Sequence, residues 1–207
     1  MAKTKLGAGT LLAPLPAVLV SCGDGEKQNL ISIAWTGILC TKPAKTYISV
    51  RPERFSYDII KNSGEFVINL PSSALVKAVD WCGVRSGKTE DKWAHCGLTP
   101  EPCPDLKYAP AVQQCPVSVA CRLDRIVPLG SHDMFIADIL SVSVDESLLG
   151  KDGKLDYEKA DLLAYSHGSY YKLGQYLGSF GYSVRKKPAA PRPVRKGPPK
   201  KKPAPKK

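Results

Sequence analysis

Short runs of hydrophobic positions, separated by turns, fill the first half of the chain. Ala17–Cys22 is apolar and ends at the turn Gly23-Asp24-Gly25, and Thr46–Val50 alternates like a strand with one buried face. Asn29–Cys40 mixes apolar and small residues, and Glu65–Leu70 is a further apolar run. These four segments predict β-strands.

Two stretches have the spacing of helices instead. Ser56–Asn62 places Tyr57 and Ile60 on one face and is predicted to stop at Gly64. Ser73–Val84 carries apolar residues at amphipathic spacing, and Ser72 or Ser73 is the predicted N-terminal cap. Both helices are short, so the strands dominate.

The second half of the chain strengthens the β-rich pattern. Ser86–Trp93 is polar, Gly97–Ala109 is a Pro-rich loop, and two long β-rich runs follow at Val112–Val127 and His132–Val144. Many short strands with few helices predict a barrel or sandwich rather than a parallel α/β sheet. No GxGxxG follows a strand and no Gly-rich phosphate loop occurs, so neither a Rossmann nor a Walker site is indicated.

Charge divides the chain into two parts. The net charge is +11, and the segment from Arg185 to Lys207 holds 11 Lys or Arg, seven Pro and no acidic residue, which leaves 19 basic and 19 acidic residues in 1–184. We predict a folded domain over 1–184 and a disordered basic, Pro-rich tail over 185–207. The tail is either an electrostatic arm for nucleic acid, anionic membrane or an acidic partner, or a solvated extension; weak, sequence-independent binding or none is favoured.

The N-terminus resembles an export signal at one point. A basic start, an apolar run at Leu11–Val20 and the box ending in Cys22 are typical of a lipoprotein signal. Pro14 and Pro16 interrupt that run, and Ala17–Cys22 serves equally as a strand, so the strand is preferred. No apolar stretch approaches the roughly 20 residues of a membrane span, and we expect a cytoplasmic protein without membrane contact.

The seven cysteines include no CxxC pair, so neither a zinc ribbon nor a thioredoxin-like site is indicated, and no metal site is predicted. Most are expected to be reduced core thiols. Cys82, Cys96 and Cys103 are placed in loop-like sequence, where a redox role is left open.

One candidate phosphate site lies at residues 49–57. Ser49 and Arg51 share one strand face and can point at one anion, for which a guanidinium is well suited. Phe55-Ser56-Tyr57 then opens a helix whose free N–H groups favour an anion. The alternative, which the residues support equally, is that Arg51 pairs with Glu53 or Asp58 on the surface and that Ser56 only caps the helix.

Two further segments offer candidate chemistry. Ser86–Trp93 contains two lysines, two hydroxyls and a Gly, which suits a cofactor phosphate or ribityl chain but is also common in a solvated loop. Asn29–Thr36 offers strand amides beside Trp35, which suits the edge of a flavin ring, although a Trp in a strand is more often a core residue.

Five motif blocks follow one another along the chain: Asn29-x-x-Ser32-x-Ala34-Trp35-Thr36, Tyr47-Ile48-Ser49-Val50-Arg51-Pro52-Glu53-Arg54-Phe55-Ser56-Tyr57-Asp58, Gly64-Glu65-Phe66-Val67-Ile68-Asn69-Leu70-Pro71, the 86–93 loop and Gly130-Ser131-His132-Asp133-Met134-Phe135. Together, in this order, they resemble the signatures of the flavin reductase-like family, most closely its flavoredoxin branch. The ending from Tyr171 to Gly181 is similar as well. The resemblance covers about residues 12–184.

The resemblance implies a mainly β fold with a few short helices, an FMN-binding split barrel of Greek-key type. It also implies a homodimer, non-covalent FMN, and electron transfer from NAD(P)H or a redox protein. Asn29, Trp35, Lys92 and His132 match positions around the flavin, Ser49, Arg51 and Ser56 match its phosphate side, and Tyr165 lies near a position that holds an aromatic residue in relatives. The full predicted cofactor site is Asn29, Ser32, Ala34, Trp35, Thr36, Ser49, Val50, Arg51, Ser56, Tyr57, Ser86, Lys88, Lys92, His132 and Tyr165.

Roles follow from flavin chemistry. Negative charge builds near N1 and O2 of the reduced ring, so we expect backbone N–H groups near Trp35–Thr36 to stabilise it and Lys92 to neutralise the phosphate or the ring. His132, at the entry, is the candidate catalytic residue, and a core His in a turn is its alternative. The rival functions are an FMN-binding electron carrier without NAD(P)H activity, and a barrel scaffold whose tail binds nucleic acid or acidic surfaces.

Overall fold

The computed structural model describes residues 1–185, and β-strands make up most of their regular structure. In chain order the strands are β1 Leu15–Pro16, β2 Val18–Gly23, β3 Gln28–Ile33, β4 Thr36–Thr41, β5 Ala44–Val50, β6 Glu65–Leu70, β7 Pro100–Glu101, β8 Ala111–Val112, β9 Val117–Pro128, β10 Asp133–Val144, β11 Leu163–Ser166 and β12 Ser169–Lys172. The α-helices are α1 Phe55–Ser63, α2 Val76–Val84 and α3 Lys92–Cys96, and 3-10 turns cover Ser73–Leu75, Glu146–Leu148 and Tyr182–Val184.

Seven strands form one antiparallel sheet in the order β3-β2-β6-β9-β10-β5-β4. The chain leaves β5, crosses through α1 and returns as β6 between β2 and β9, so β5 and β6 are separated in the sheet although they follow one another in the sequence. Smaller sheets are β1-β11-β12 and β7-β8. This is the mainly β, split-barrel architecture that the sequence predicts, with long Greek-key crossings.

Alternation along the strands builds two main apolar clusters. One is centred on fully buried Phe66 and Phe135 and is closed by Ile59 and Ile60 of α1. The other places Val79 and Cys82 of α2 against Leu19 and Leu30. Helices α2 and α3 therefore both pack on β3, which brings the loop between them close to the same strand.

Most predicted elements are present, with corrected ends. The predicted strand Glu65–Leu70 has the same bounds in the structure, and α1 ends where expected because Gly64 adopts φ 70° and donates its N–H to Ile60 O. The predicted cap of the second helix is wrong. A 3-10 turn precedes α2, Ser72 makes no side-chain capping bond, and the Ser73 hydroxyl donates to the Asp161 carboxylate instead.

Two segments predicted as loops contain short elements. The polar loop 86–93 ends in α3, which Asp91 caps by accepting the Ala94 N–H, and the Pro-rich loop 97–109 contains β7. The long run predicted from Val112 breaks at a turn in which Cys115 N donates to Val112 O, so β9 begins only at Val117. Cys82 and Cys96 consequently lie in helices rather than in loops.

The predicted continuous strand Asn29–Cys40 is interrupted at Ala34-Trp35, between β3 and β4. Thr36 N donates to Ala34 O, and Ser49 N of β5 donates to Trp35 O. These bonds fix a sharp step in the backbone, and the Trp35 side chain is 37% exposed rather than part of the core. The step supplies one wall of the site described below.

By their internal packing, residues 1–174 form one unit and a second begins at Gln175, where the described part contains the 3-10 turn Tyr182–Val184. The predicted domain boundary after residue 184 stays a prediction, and the predicted disordered tail lies outside the described residues except for Arg185. Within residues 1–185, no helix has the length and apolar character that crossing a membrane requires.

Candidate functional site

A cavity of about 490 Å³ lies at the backbone step between β3 and β4. The end of β5, one side of α2 and the hairpin of β11 and β12 complete its wall. Eight of the predicted site residues line this larger cavity: Ser32, Ala34, Trp35, Ser49, Val50, Arg51, His132 and Tyr165. They come from four separate segments of the chain, so the fold brings these predicted residues together.

Trp35 and His132 form an aromatic corner of the larger cavity. Their ring centroids are 4.5 Å apart with an interplanar angle of 43°. Burial, followed by the nearby Arg51 guanidinium, lowers the pKa of His132 below its ordinary value of 6.5. A neutral imidazole is therefore favoured at neutral pH, and it can donate or accept one hydrogen bond without adding charge.

Two arginines stand on the same wall. Arg51 Nη1 lies 3.4 Å from Glu53 Oε1, which is the surface pair that the sequence offered as an alternative to phosphate binding. Both side chains are more than half exposed, and such a pair contributes little energy, so it does not remove the Arg51 guanidinium from the cavity wall. Arg54 donates from Nη1 to Gly83 O at 3.3 Å and is thereby held against α2.

A smaller cavity of about 260 Å³ adjoins the larger one and shares Ile31 and Arg54 with it. Its wall contains three cationic side chains, Arg54, Arg85 and Lys92, against the single carboxylate of Glu53, together with Asn29 and Ser86. Three of the predicted site residues therefore lie here and not in the larger cavity: Asn29, Ser86 and Lys92.

Lys92 is the most constrained charge of the site. Lys92 is only 4% exposed, and its Nζ donates to Leu30 O at 2.7 Å and to Cys82 O at 2.8 Å. Burial lowers the pKa of Lys92 below its usual value, and no carboxylate accepts from it within residues 1–185. An ammonium has three N–H donors, so one remains for a ligand in the smaller cavity.

Asn29 and Gly87 shape the same cavity by close packing. Asn29 Nδ2 donates to Ser56 Oγ at 2.8 Å, and both residues are buried. A Cβ at position 87 would lie 2.2 Å from Asn29 Oδ1 and 2.7 Å from Phe55 Cδ1, so only glycine fits there without movement. The loop backbone after α2 is thus drawn tightly against β3 and the start of α1.

Four predicted site residues lie outside both cavity walls. Ser56 is fully buried behind Asn29, so its hydroxyl neither caps α1 nor faces an anion directly. Thr36 donates its N–H to Ala34 O and its hydroxyl to Tyr47 O. The Thr36 N–H that was predicted to face the flavin ring is therefore already used within the protein. The Tyr57 hydroxyl donates to the carboxylate of Asp133, the first residue of β10. Lys88 lines a separate surface depression together with Asp58.

Sequence reasoning missed several wall residues. Arg54 lies three residues after Arg51 in a segment already considered, and Arg85 directly precedes the polar loop at Ser86, so proximity to those residues was an available signal. Asp80 and Tyr170 had no such signal, because their contact, from Tyr170 Oη to Asp80 Oδ1 at 3.3 Å, joins α2 to β12 across 90 residues. Burial and then Asp80 raise the pKa of Tyr170 to about 12, so this phenol keeps its proton.

The two cavities together suit one kind of ligand. The larger cavity offers apolar side chains, an aromatic corner and strand backbone, which fit a flat heteroaromatic ring. The smaller cavity offers cations and a hydroxyl, which fit an anionic group such as a phosphate. Among residues 1–185, no group of three or more His, Cys, Asp or Glu is arranged to hold a metal ion.

Comparison with known proteins gives a consistent result. The family profile described as "Flavin reductase like domain" matches residues 11–174. Flavoredoxin of Desulfovibrio vulgaris (Miyazaki F) is 35% identical with a TM-score of 0.83, covering 89% of this chain and all of that one. Flavoredoxin from Methanosarcina acetivorans is 26% identical with a TM-score of 0.80 over the same shares. An uncharacterized protein of Archaeoglobus fulgidus is 30% identical over 160 residues, which are 77% of this chain and 88% of that protein.

Proposed function

The chain belongs to the flavin reductase-like family, and on that premise we propose that it is an FMN-dependent oxidoreductase. In this proposal the protein holds FMN without a covalent bond and passes electrons from NAD(P)H or a redox protein to an acceptor. The observation that supports it best is the pair of adjoining cavities, one aromatic and one cationic, that share Arg54.

From the chemistry of the two walls, we assign one end of the cofactor to each cavity. The ring belongs in the larger cavity beside Trp35, and the phosphate belongs in the smaller cavity with Arg85, Ser86 and Lys92. The close approach at Gly87 supports this assignment, because it lets the loop backbone lie where a side chain would otherwise fill space. Of the two segments that the sequence offered for the phosphate, this assignment favours the 86–93 loop over residues 49–57.

When bound, the flavin supplies a ring that accepts hydride and becomes negatively charged on reduction. The Ala34 and Trp35 amides at the backbone step are our candidates to stabilise that charge, since both Thr36 donors are already used. Arg51 adds a positive charge at the same wall. His132 lines the same cavity as the candidate catalytic residue; its neutral form adds no charge there, so Arg51 supplies the positive charge that would attract an anionic nicotinamide donor.

We propose a homodimer. Edge strand β4 carries Ile38, 70% exposed, and Leu39, 46% exposed, an unusual pair of apolar side chains for a solvated sheet edge. A monomeric mass by light scattering at micromolar concentration would contradict the dimer.

We also propose a cytoplasmic location, supported by seven cysteines that are all free thiols in residues 1–185. Recovery of a tagged full-length chain from a membrane or exported fraction would contradict it.

The test of the proposed function is an anaerobic spectral titration. Purified full-length protein is given FMN, then NADH and separately NADPH, while the flavin absorbance is followed. Bound flavin that bleaches rapidly with one nucleotide supports a reductase and identifies its donor. Bound flavin that stays oxidised with both contradicts NAD(P)H activity and leaves the electron carrier, and a spectrum unchanged by the protein contradicts flavin binding altogether.

A further inference from the structure

Two cysteines from different helices meet beside the smaller cavity. Cys82 lies in α2 and is fully buried, whereas Cys96 is the last residue of α3 and is half-buried. Their Sγ atoms are 3.8 Å apart. The other five cysteines make no sulfur–sulfur contact within residues 1–185, so this pair is set apart by its geometry and not by the number of thiols.

Neighbouring contacts hold the two helices in register around this pair. One residue earlier on each helix, the Trp81 ring stacks on the His95 ring with centroids 3.8 Å apart and planes 10° apart. Lys92, at the start of α3, donates to the carbonyl of Cys82 itself. Two contacts between the same two helices therefore place the sulfurs, and a covalent bond needs them to approach by about 1.8 Å to reach the usual S–S length near 2.05 Å.

We propose that Cys82 and Cys96 form a reversible disulfide under peroxide, and that this bond weakens FMN binding at the smaller cavity. The second half of the statement rests on the proposed function. The two cysteines bracket residues 83–95, which include Arg85, Ser86 and Lys92 of the cationic wall. A bond that draws α3 toward α2 displaces the Lys92 ammonium from its two carbonyl acceptors or from the ligand.

The chemistry proceeds in two balanced steps. The Cys96 thiolate attacks one oxygen of hydrogen peroxide, the O–O bond breaks, and hydroxide leaves to take a proton as water, so Cys96 becomes a sulfenic acid. The Cys82 sulfur then attacks the Cys96 sulfur, its proton goes to the departing hydroxide, and a second water leaves. Two thiols and one peroxide give one disulfide and two waters, and the sulfurs lose the two electrons that the peroxide gains.

Exposure sets the order of the two sulfurs. Cys96 is the one that solvent reaches, so it meets the oxidant first. Burial, and then the neighbouring Cys96, raise the pKa of Cys82 to about 12, so Cys82 stays protonated and does not compete with Cys96 for the oxidant. Cys82 thus resolves the sulfenic acid and protects Cys96 from further oxidation.

The experiment uses the reduced full-length chain, treated with hydrogen peroxide and analysed by mass spectrometry of tryptic peptides. We expect a peptide pair joined through Cys82 and Cys96 that disappears with a dithiol reductant. Because Cys103 lies on the same tryptic peptide as Cys96, the matched controls are Cys103→Ser, which should keep the crosslink, and Cys96→Ser, which should lose it. Crosslinking to Cys103, or Cys96 ending as sulfinic acid with Cys82 still free, would overturn the pair.

FMN titration of the same samples tests the second half. The dissociation constant should rise about tenfold on oxidation, the order expected when a hydrogen bond to a charged group is lost, and return with reductant. Cys96→Ser should show no such change under peroxide, and Cys115→Ser, a buried cysteine of the same apolar cluster, should respond like the wild type. A crosslinked protein with unchanged FMN affinity would refute the coupling, whereas failure of the reduced protein to bind FMN would refute the proposed function while the crosslink still decides the pair.

Discussion

The larger and the smaller cavity differ in how firmly contacts within the protein hold the polar side chains of their walls. In the larger cavity, Trp35 is more than one-third exposed, and Arg51 is held by one exposed ion pair. In the smaller cavity, Lys92 is buried and bound to two carbonyls, and Asn29 is fixed by Ser56. The polar residues of the larger cavity are loosely held and open, whereas Asn29 and Lys92 of the smaller cavity are buried and fixed.

This difference indicates which cavity contributes most to the affinity for the cofactor and which one takes part in electron transfer. A locked site loses little side-chain entropy when it takes its ligand, so it suits the part of a cofactor that only anchors. An open wall with a neutral imidazole suits the part that must exchange electrons with a second molecule. We therefore expect changes in the smaller cavity to affect FMN affinity most, and changes in the larger cavity to affect ring binding and reduction.

The largest effect is expected for Lys92→Met. We predict that FMN binds about 100-fold more weakly, roughly 2.8 kcal/mol, because a desolvated charge-assisted bond to the phosphate is lost. Riboflavin, which lacks the phosphate, should bind the variant and the wild type with similar affinity by fluorescence titration. The control is Lys88→Met, an exposed cation outside both walls. An equal loss for FMN and riboflavin would contradict the phosphate assignment.

Gly87→Ala comes second. Its Cβ would overlap Asn29 Oδ1 and Phe55, and we expect a loss of about 2 kcal/mol in the free energy of unfolding, in the range of overpacking a tight site. Chemical denaturation followed by fluorescence measures it. Gly83→Ala is the matched control, since a Cβ there meets Ser32 at an ordinary 3.4 Å. Equal stability of the two variants would contradict the close packing described at Gly87.

Arg51→Ala should have a smaller and different effect. We predict about tenfold weaker flavin binding, or ~1.4 kcal/mol, and the same factor for FMN and riboflavin because Arg51 faces the larger cavity. The comparison with Lys92→Met thus separates the two walls by ligand rather than by size of effect. Unchanged affinity for both flavins, or a loss confined to FMN, would contradict the position given to Arg51.

The smallest effect concerns the pH dependence of stability through His132. Its pKa in the folded state lies below 6.5, so the unfolded chain binds the proton first as the pH falls. Stability should therefore decline from near pH 6.5 down to the lowered pKa, and His132→Gln should flatten that part of the profile. Urea unfolding across this pH range tests it, with His167→Gln as a control at an exposed hairpin residue. Identical profiles for His132→Gln and the wild type would contradict the shift.

Local signals explain what the sequence could predict. Glu65–Leu70 is a short apolar run that ends at Pro71, and Gly64 stops α1 by its own conformation, so both were readable without tertiary contacts. The step at Ala34-Trp35 was not readable, because apolar residues continue through it and only the bond from β5 to Trp35 O reveals it.

The site divides in the same way. Trp35 and Arg51 lie in segments that had candidate chemistry of their own, and His132 was predicted through the family resemblance; all three line one cavity. Their separation from Asn29, Ser86 and Lys92 depends on how α2 and α3 fold back on β3, a contact between distant segments that composition and spacing do not encode. Ser56 shows the same limit, since its burial behind Asn29 follows from packing and not from its place at a helix start.

The most direct test of the account is an equilibrium titration of the wild-type full-length chain with FMN and with riboflavin under identical conditions. We predict that both bind and that FMN binds about 100-fold more tightly, because the cationic smaller cavity recognises the phosphate. Equal affinities for the two flavins, or no binding of either, would contradict it.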